Sequence, residues 1–178
     1  PVYYTGFAQA PSLSNLPTEF DYTLNYDTSA FVDAGIYDVV ATLVLTAQAQ
    51  TNYNVQGSTQ ISGTYEILPA DVEIVISGSD KVTYDASAYE FNYDVVDLMG
   101  NAFSKDFVSV SIEKQDASGE WVACTAQDVV NAGQYRFTYT LNSDNLVGDV
   151  AQKVLTIGKA TYPSSAYNVS GSTTVVHD

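Results

Sequence analysis

Apolar and polar side chains alternate at every second position along most of this chain, and that pattern limits what it can fold into. In residues 19–27 (EFDYTLNYD) aromatic and aliphatic side chains alternate with polar ones, and residues 37–45 and 135–141 repeat the pattern. Successive side chains of a β-strand point to opposite faces, so this alternation predicts strands with one face in a core and one in water. Breaks such as DAG at 33–35 and DASG at 116–119 carry residues that turns require. The chain is therefore predicted to be all-β.

Helical periodicity is not sustained along the sequence. Residues 96–104 (VDLMGNAFS) have some helical potential, and we expect a short loop element there at most. The 14 Tyr and 7 Phe also favour strands, because aromatic side chains fit a pleated, half-buried surface. Strands should therefore make up the regular structure.

Several sequence elements occur twice and in the same order. AGIYDV at residues 34–39 returns as AGQYRF at residues 132–137, and the closing strand GTYEILPA at 63–70 returns as KVLTIGKA at 153–160. Recurrence of whole elements is the sequence signature of repeated structural units. The chain is therefore predicted to contain one structural unit twice.

An opening element marks the start of each unit. ISGSDKVTYD at residues 76–85 matches VSGSTTVVHD at 169–178, and YYTG at 3–6 is a shorter first instance. The predicted organisation is a first unit at 1–70, a second unit at 71–160, and a linker with the first strand of a following unit at 161–178. Each full unit is close to the ~100 residues of an immunoglobulin-like domain, so we predict two tandem immunoglobulin-like antiparallel β-sandwiches.

Taken together, these elements resemble the bacterial immunoglobulin-like repeats of MBG and YDG type, which occur in tandem in large surface proteins. The matching elements are Y-x-G or Y-D in the opening strand (4–6 and 84–85), N/D-A-G-x-Y (33–37 and 131–135) and N-Y (52–53). Ala86 departs from the pattern, because Gly is usual at that position, and His177 stands where the third opening strand should have Tyr.

The resemblance implies an extracellular, repetitive protein of the bacterial cell surface or cell wall. We therefore expect a non-catalytic stalk or adhesin repeat, whose parent protein contacts host or neighbouring-cell surface glycans or proteins. The alternative is a carbohydrate-binding accessory module of a secreted glycan-degrading enzyme, because such modules use the same sandwich fold.

Charge argues against two classes of partner. The chain has 6 Lys and Arg against 21 Asp and Glu, a formal net charge of -15. Its summed field repels phosphate backbones and anionic lipids. No stretch approaches the ~18 consecutive apolar residues of a membrane span. We expect no nucleic-acid partner and no membrane insertion.

The residues that common catalytic sites need are scarce. Cys124 is the only cysteine and His177 the only histidine, so neither a Ser-His-Asp set nor a Cys/His zinc cluster is expected. Acidic residues are abundant on the predicted strand surfaces, and we expect no enzymatic activity. The carboxylates that could in principle pair as in a glycosidase are Glu66 with Asp71 and Glu73, and Asp94 with Asp97.

One loop could bind a cation. Asn142, Asp144 and Asp149 lie in or beside NSDN at 142–145, the densest oxygen-rich stretch, and calcium takes roughly six to eight oxygen ligands. The loop lacks the spacing of a known calcium loop, and a polar hairpin turn is the simpler interpretation. Calcium is the only cofactor that the sequence suggests.

Exposed aromatic side chains could stack on sugar rings. Trp121 and Tyr53 are the candidates for such a ligand site, with Tyr3 and Tyr167 beside them. Most tyrosines in alternating strands instead pack in a core or against a cross-strand partner.

The tail at residues 161–178 suggests a mode of assembly. It resembles the segment that precedes the second opening strand, and the first unit has no such segment. An unpaired strand can add to an exposed sheet edge, so the tail of one molecule could complete the first unit of the next, head to tail. A frayed chain end is the alternative.

Overall fold

A computed structural model describes residues 1–25 and 31–163 of the chain. Its helical elements are single 3-10 turns at Ala49–Thr51, Lys105–Phe107 and Ala126–Asp128. The strands are β1 (Val2–Tyr3), β2 (Phe20–Asn25), β3 (Gly35–Leu45), β4 (Gln60–Leu68), β5 (Ala70–Ser77), β6 (Lys81–Thr83), β7 (Asn92–Asp97), β8 (Ala102–Phe103), β9 (Val108–Gln115), β10 (Trp121–Cys124), β11 (Gly133–Leu141), β12 (Leu146–Val147) and β13 (Ala151–Gly158).

The first sheet joins its strands in the order β1-β4-β3-β2. β3 pairs antiparallel with both β2 and β4, whereas β1 pairs parallel with β4. The pairing of Val2 with Ile67 fixes the register of the parallel pair, and the Tyr4 N–H donates to the Leu68 carbonyl at 2.8 Å. The opening and closing strands of this sheet are therefore neighbours.

A five-stranded sheet repeats this arrangement. Its order, β6-β13-β11-β9-β10, matches β1-β4-β3-β2 with one strand added. β6 pairs parallel with β13, Val82 is opposite Ile157, and the Tyr84 N–H donates to the Gly158 carbonyl at 2.8 Å. The sequence elements that recur along the chain thus occupy matching positions in the two sheets.

The AGxY elements also fold alike. The Tyr37 hydroxyl donates to the Asp33 carbonyl at 2.8 Å, and the Tyr135 hydroxyl donates to the Asn131 carbonyl at 2.9 Å, in each case four residues back. Tyr135 makes a second bond of 3.0 Å to the carbonyl of Asp128. Each tyrosine therefore ties the start of its strand to the loop before it.

The turn after each opening strand has a left-handed residue at the matching position. Gly6 has a φ of 79° and Ala86 a φ of 67°. This conformation places a Cβ close to the following carbonyl oxygen, so it favours glycine. The backbone explains why Gly is expected where Ala86 stands.

A second four-stranded sheet has the order β12-β5-β7-β8. Side chains in and just before β7 pack on β11: the rings of Phe91 and Phe137 lie 5.1 Å apart, and those of Tyr93 and Tyr139 lie 4.9 Å apart. Phe137 and Tyr139 are 2% and 1% exposed, so each ring pair has a buried member on β11.

Next to β12, the chain approaches β5 so closely that only glycine fits. A Cβ added at Gly148 would collide with the Val72 carbonyl oxygen.

The residues gather into two compact units whose segments interleave along the chain. The first combines Pro1–Ile76, Tyr93–Val110 and Tyr139–Ala151, and the second combines Ser77–Asn92, Ser111–Thr138 and the described residues from Gln152 onward. The division of the sequence into 1–70, 71–160 and 161–178 follows its repetition and stays a prediction.

The all-β prediction is confirmed, since strands dominate and helix is almost absent. The alternating segments at 19–27, 37–45 and 135–141 correspond to β2, β3 and β11, as far as the described residues extend. Residues 96–104 form the end of β7, a tight turn and β8. The head-to-tail hypothesis concerns residues 161–178, most of which lie outside the described part of the chain.

The two tyrosine hydroxyls should differ in their contribution to stability. Tyr135 is 0% exposed, so Tyr135→Phe leaves two carbonyls without their donor, and we expect a loss of about 1 to 3 kcal/mol. Tyr37→Phe is the matched control, and its single bond at a half-buried site should contribute about 1 kcal/mol or less. Urea denaturation measures both changes, and equal losses would contradict this account.

Candidate functional site

A groove of about 450 Å³ runs beside the opening strand β1. An adjoining recess of about 350 Å³ adds Phe7, Ala102 and Phe103 to the same surface. We call the two together the opening-strand groove. Residues that line the larger part include Tyr3, Tyr4, Gln9, Asp71, Asp97, Leu98, Met99 and Asn101.

The turn between β7 and β8 presents two apolar side chains at the groove. Leu98 is 95% exposed and Met99 is 89% exposed. Asp97 fixes this turn: its carboxylate accepts from the N–H groups of Met99 and Asn101 at 2.9 and 2.8 Å and from the Asn101 side-chain amide at 2.7 Å. The exposed pair therefore sits on a turn whose backbone is held in place.

The hydrogen bonds of this turn set the protonation of Asp97. The hydrogen bond from the Asn101 side chain is the main cause that lowers the pKa of Asp97; desolvation opposes it, and bonds from backbone N–H groups lower the pKa further. A carboxylate held ionised in this way cannot serve as a proton donor near neutral pH. Asp97 therefore acts as a fixed acceptor.

Tyr4 closes the floor of the groove. It is 6% exposed, and its ring stacks on Phe103 at 6.0 Å and meets Phe107 edge-on at 6.4 Å. Burial, and then the nearby charge of Asp33, raise the pKa of the Tyr4 hydroxyl. The ring is thus a packing element, and the groove around it offers apolar contact and fixed acceptors.

Asn145 makes the longest-range polar contacts in this part of the molecule. Its Oδ1 accepts from the Ala34 N–H at 2.7 Å, its Nδ2 donates to Asp33 Oδ1 at 2.8 Å, and its carbonyl accepts from the Ala70 N–H at 2.9 Å. The side chain of Asn145 thus connects its loop to residues 33–34, and its main-chain carbonyl connects the same loop to Ala70. We call this arrangement the Asn145 clamp.

The three predicted calcium ligands, Asn142, Asp144 and Asp149, are exposed. Asn142 and Asp144 lie in the loop, and Asp149 lines a shallow groove that also includes Asp71 and Glu73. Among residues 1–25 and 31–163, no three His, Cys, Asp or Glu side chains are grouped so that they could hold a metal ion. Calcium binding stays a prediction.

Trp121 stands on the edge strand β10 with one ring face against a cation. The Arg136 guanidinium carbon lies 4.7 Å from the ring centroid. Glu113 holds Arg136 through contacts of 2.8 Å to Nε and 2.6 Å to Nη2. Three strands of the sheet therefore combine an aromatic ring, a cation and a carboxylate on one surface.

Tyr53 and Tyr3 are both exposed, at 55% and 58%. Tyr53 borders a small recess with Phe20, Leu45 and Val55, whereas Tyr3 lines the opening-strand groove. Tyr167 and His177 lie outside the described residues. The structure thus gives the aromatic candidates separate surroundings.

The structure does not pair the candidate carboxylates on β7. Asp94 and Asp97 are three positions apart on that strand, so their side chains point to opposite faces, and Asp94 lies 3.4 Å from the Lys105 ammonium.

Asp71 and Glu73 share the exposed face of β5.

The single cysteine, Cys124, lies at the end of β10. Burial is the main cause that raises the pKa of its thiol, which makes the reactive thiolate scarcer.

The outer edge of each opening strand is closed by a side chain. Gln9 donates to the Tyr3 carbonyl at 2.9 Å, and Tyr89 donates to the Thr83 carbonyl at 2.9 Å, each from six residues along the chain. Unpaired strand edges invite association with other strands, and capping their carbonyls reduces that tendency. The likeness between the two opening strands extends to this capping bond, which the recurring sequence elements did not predict.

Comparison with protein-family models finds no match, and comparison with curated proteins finds no similar sequence. Within the described residues, the helices are all too short and too polar to cross a membrane.

Acid should weaken the turn that carries Leu98 and Met99. The folded-state pKa of Asp97 is lowered, so its stabilising contribution is present above its unfolded value near 3.8 and is lost as pH falls through the folded value. Asp97→Asn removes this titration. We expect its urea midpoint to fall less steeply than that of the wild type below about pH 4. Parallel curves would contradict the role of Asp97.

Proposed function

We propose that this chain is a non-catalytic structural segment of a bacterial cell-surface or secreted protein, built from two tandem immunoglobulin-like sandwiches that act as a stalk. The observation that carries the proposal is the parallel pairing of the opening strand with the closing strand in both sheets. The matching tyrosine contacts before β3 and β11 support the immunoglobulin-like assignment, because such a corner is a hallmark of that fold.

Parallel pairing of the end strands resists tension well. β6 and β13 are parallel, so a force that pulls β6 from its N-terminal end and β13 from its C-terminal end moves the two strands in opposite directions along their length. Their ladder bonds, which include Tyr84 N–H to Gly158 O and Thr156 N–H to Asp80 O at 2.8 Å each, are then loaded together in shear. Antiparallel end strands would instead be peeled apart one bond at a time. A stalk under load needs the first arrangement.

The Asn145 clamp supports a stiff array. Asp33 and Ala34 belong to the predicted first repeat and Asn145 to the second, and the Asn145 carbonyl also accepts from Ala70 near the predicted boundary. All four residues lie in the first compact unit, so these polar contacts stiffen that unit where the two predicted repeats meet. A spacer that holds a distal region away from a surface benefits from that stiffness.

The shear arrangement can be tested by pulling single molecules through their ends. Tyr84→Pro removes the N–H that bonds to Gly158, so we expect a lower peak force for the unfolding event of this sheet. Thr83→Pro is the matched control, because the bonding side alternates along a strand and the Thr83 N–H faces away from β13. An equal drop in both variants, or no drop in Tyr84→Pro, would contradict the proposal.

A second candidate function is carbohydrate binding as an accessory module. The surface made by Trp121, Arg136 and Glu113 favours it, because an aromatic ring beside fixed charged and hydrogen-bonding groups can stack on a sugar and orient its hydroxyls. Arg136 already occupies one face of the ring, so a sugar would use the other face or the rim.

A glycan array separates the two functions. Binding that is lost in Trp121→Ala and kept in Tyr53→Ala, an exposed tyrosine from another surface, would establish the carbohydrate-binding function. Absence of binding by the wild-type chain would remove it and leave the stalk proposal unaffected.

A further inference from the structure

Four exposed apolar side chains border the opening-strand groove. Leu98 and Met99 are 95% and 89% exposed, Phe7 is 77% exposed and Tyr3 is 58% exposed. Tyr3, Leu98 and Met99 line the larger recess, and Phe7 lines the smaller one. Single exposed apolar residues are ordinary on a protein surface, but several on one concave surface mark a site of interaction. We therefore expect a partner to bind at this groove.

The two recesses form one surface within one compact unit. Four residues line both of them, namely Tyr4, Thr5, Asp97 and Asn101. All the lining residues belong to the first unit, in its segments 1–76 and 93–110. The volumes of about 450 and 350 Å³ each lie within the ~300–1,000 Å³ that ligand sites occupy. The surface is therefore large enough to receive more than one side chain.

Hydrogen bonds fix the segments that carry the exposed apolar side chains. On the turn after β7, the Gly100 N–H donates to the Asp97 carbonyl and the Asp97 N–H donates to the Asn101 carbonyl, both at 3.0 Å. After β1, the Phe7 N–H donates to Thr5 Oγ1 at 3.3 Å. A surface that is already ordered loses little conformational entropy when a partner binds.

The charge of the groove has one sign. Asp71 and Asp97 line it, and none of the described residues that line it is Lys or Arg. The ion pairs among the described residues lie elsewhere and join Lys105 to Asp94 and Arg136 to Glu113. Within that part of the chain, both groove carboxylates are thus without a cationic partner. A partner that supplies a cation would complement them.

Asp97 has the capacity to accept a further donor. Its Oδ1 accepts from the N–H groups of Met99 and Asn101, whereas its Oδ2 accepts one bond, from the Asn101 side-chain amide. A carboxylate oxygen can accept two, so Oδ2 keeps a place for a cationic donor. The charge of Asp33 also reaches the floor of the groove, since it adds to burial in raising the pKa of Tyr4.

The hydrogen bonds of β1 limit how a partner can bind. One edge of β1 pairs with β4, and the Gln9 side chain caps the Tyr3 carbonyl at 2.9 Å. Addition of a strand needs free main-chain groups, so it is discouraged here. Recognition at this surface therefore depends on side chains, an apolar one against Leu98 and Met99 and a cationic one at the carboxylates.

We propose that the opening-strand groove binds an extended peptide segment of another protein, in which an apolar side chain lies close to a Lys or Arg. Two adjoining recesses suit neighbouring side chains of such a segment, and the unbranched side chain of Met99 adapts to different apolar partners. The net charge of -15 also attracts a cationic partner from a distance. This binding activity goes beyond the stalk and is independent of it.

A peptide array tests the proposed chemistry. The probes are decamers with one Lys placed one to four residues from a Leu, Phe or Met, each beside a decamer in which Gln or Glu replaces the Lys. We expect the full chain to bind a subset of the Lys decamers and to bind their Gln and Glu counterparts more weakly. Fluorescence anisotropy gives the dissociation constant of the best decamer, which salt should raise. Absence of binding, or equal binding to the Gln counterparts, would overturn the proposal.

Leu98→Ser and Ile36→Ser test the apolar contact. Leu98 lines the groove, whereas Ile36 lies on β3 of the same unit, outside the groove, and is 71% exposed. Leu98→Ser should raise the dissociation constant of the best decamer about tenfold or more, because it removes apolar surface that binding buries. Ile36→Ser should leave it unchanged, and equal effects of the two would contradict the assigned site.

Asp71→Asn and Glu73→Gln test the ionic contact. Each removes one negative charge from the exposed face of β5, but Asp71 lines the groove and Glu73 does not. Their long-range effects on the field are nearly the same, so a larger effect of Asp71→Asn reports a local contact. We expect it to raise the dissociation constant about two- to fivefold. Equal effects in variants that circular dichroism shows to be folded would contradict the ionic contact.

Sedimentation velocity distinguishes another protein from a second copy of this chain. The groove and the whole chain are both acidic, so copies repel each other. We expect Leu98→Ser to leave the sedimentation coefficient of the chain unchanged. If the wild type instead self-associates and Leu98→Ser abolishes that association, the occupant is a second copy and the proposal is wrong.

Discussion

Parallel pairing between opening and closing strands is the constraint on which the rest of the structure depends. Once β1 lies beside β4, and β6 beside β13, one edge of each sheet is occupied by an opening strand paired with its closing strand. The remaining strands must then build outward from the closing strand, through β3 to β2 and through β11 to β9 and β10. The shared strand order therefore follows from one repeated pairing, and so does the proposed resistance to shear.

Exposure is controlled differently at the edges and on the faces of these sheets. Gln9 and Tyr89 cap the free carbonyls of the opening strands, so strand addition is discouraged at these edges. On the faces, in contrast, exposure varies within one sheet: Ala41 of β3 and Ile61 of β4 are cross-strand partners, yet Ala41 is 2% exposed and Ile61 is 47% exposed.

Features with a short-range cause could be predicted from the sequence. The alternation of apolar and polar residues located β2, β3 and β11, because one face of each strand contacts a core and the other contacts water. Recurrence of AGxY identified two tyrosines that make matching contacts, and the unusual Ala86 lies at a backbone position that Gly6 also occupies with positive φ. In each case a few adjacent residues contain the whole reason, so a single sequence reveals it.

Features that depend on distant partners could not be predicted. The oxygen-rich loop at 142–145 suggested a cation, but Asn145 meets Asp33 and Ala34 across more than a hundred residues, and composition does not identify such a partner. Residues 96–104 show a local conflict of the same kind. Their modest helical potential is outweighed by Asp97. Its carboxylate accepts hydrogen bonds from three N–H donors, and these bonds stabilise a turn instead of a helix. Because that turn is fixed by polar bonds, Leu98 and Met99 need no packing to stay in place, and their side chains remain almost fully exposed.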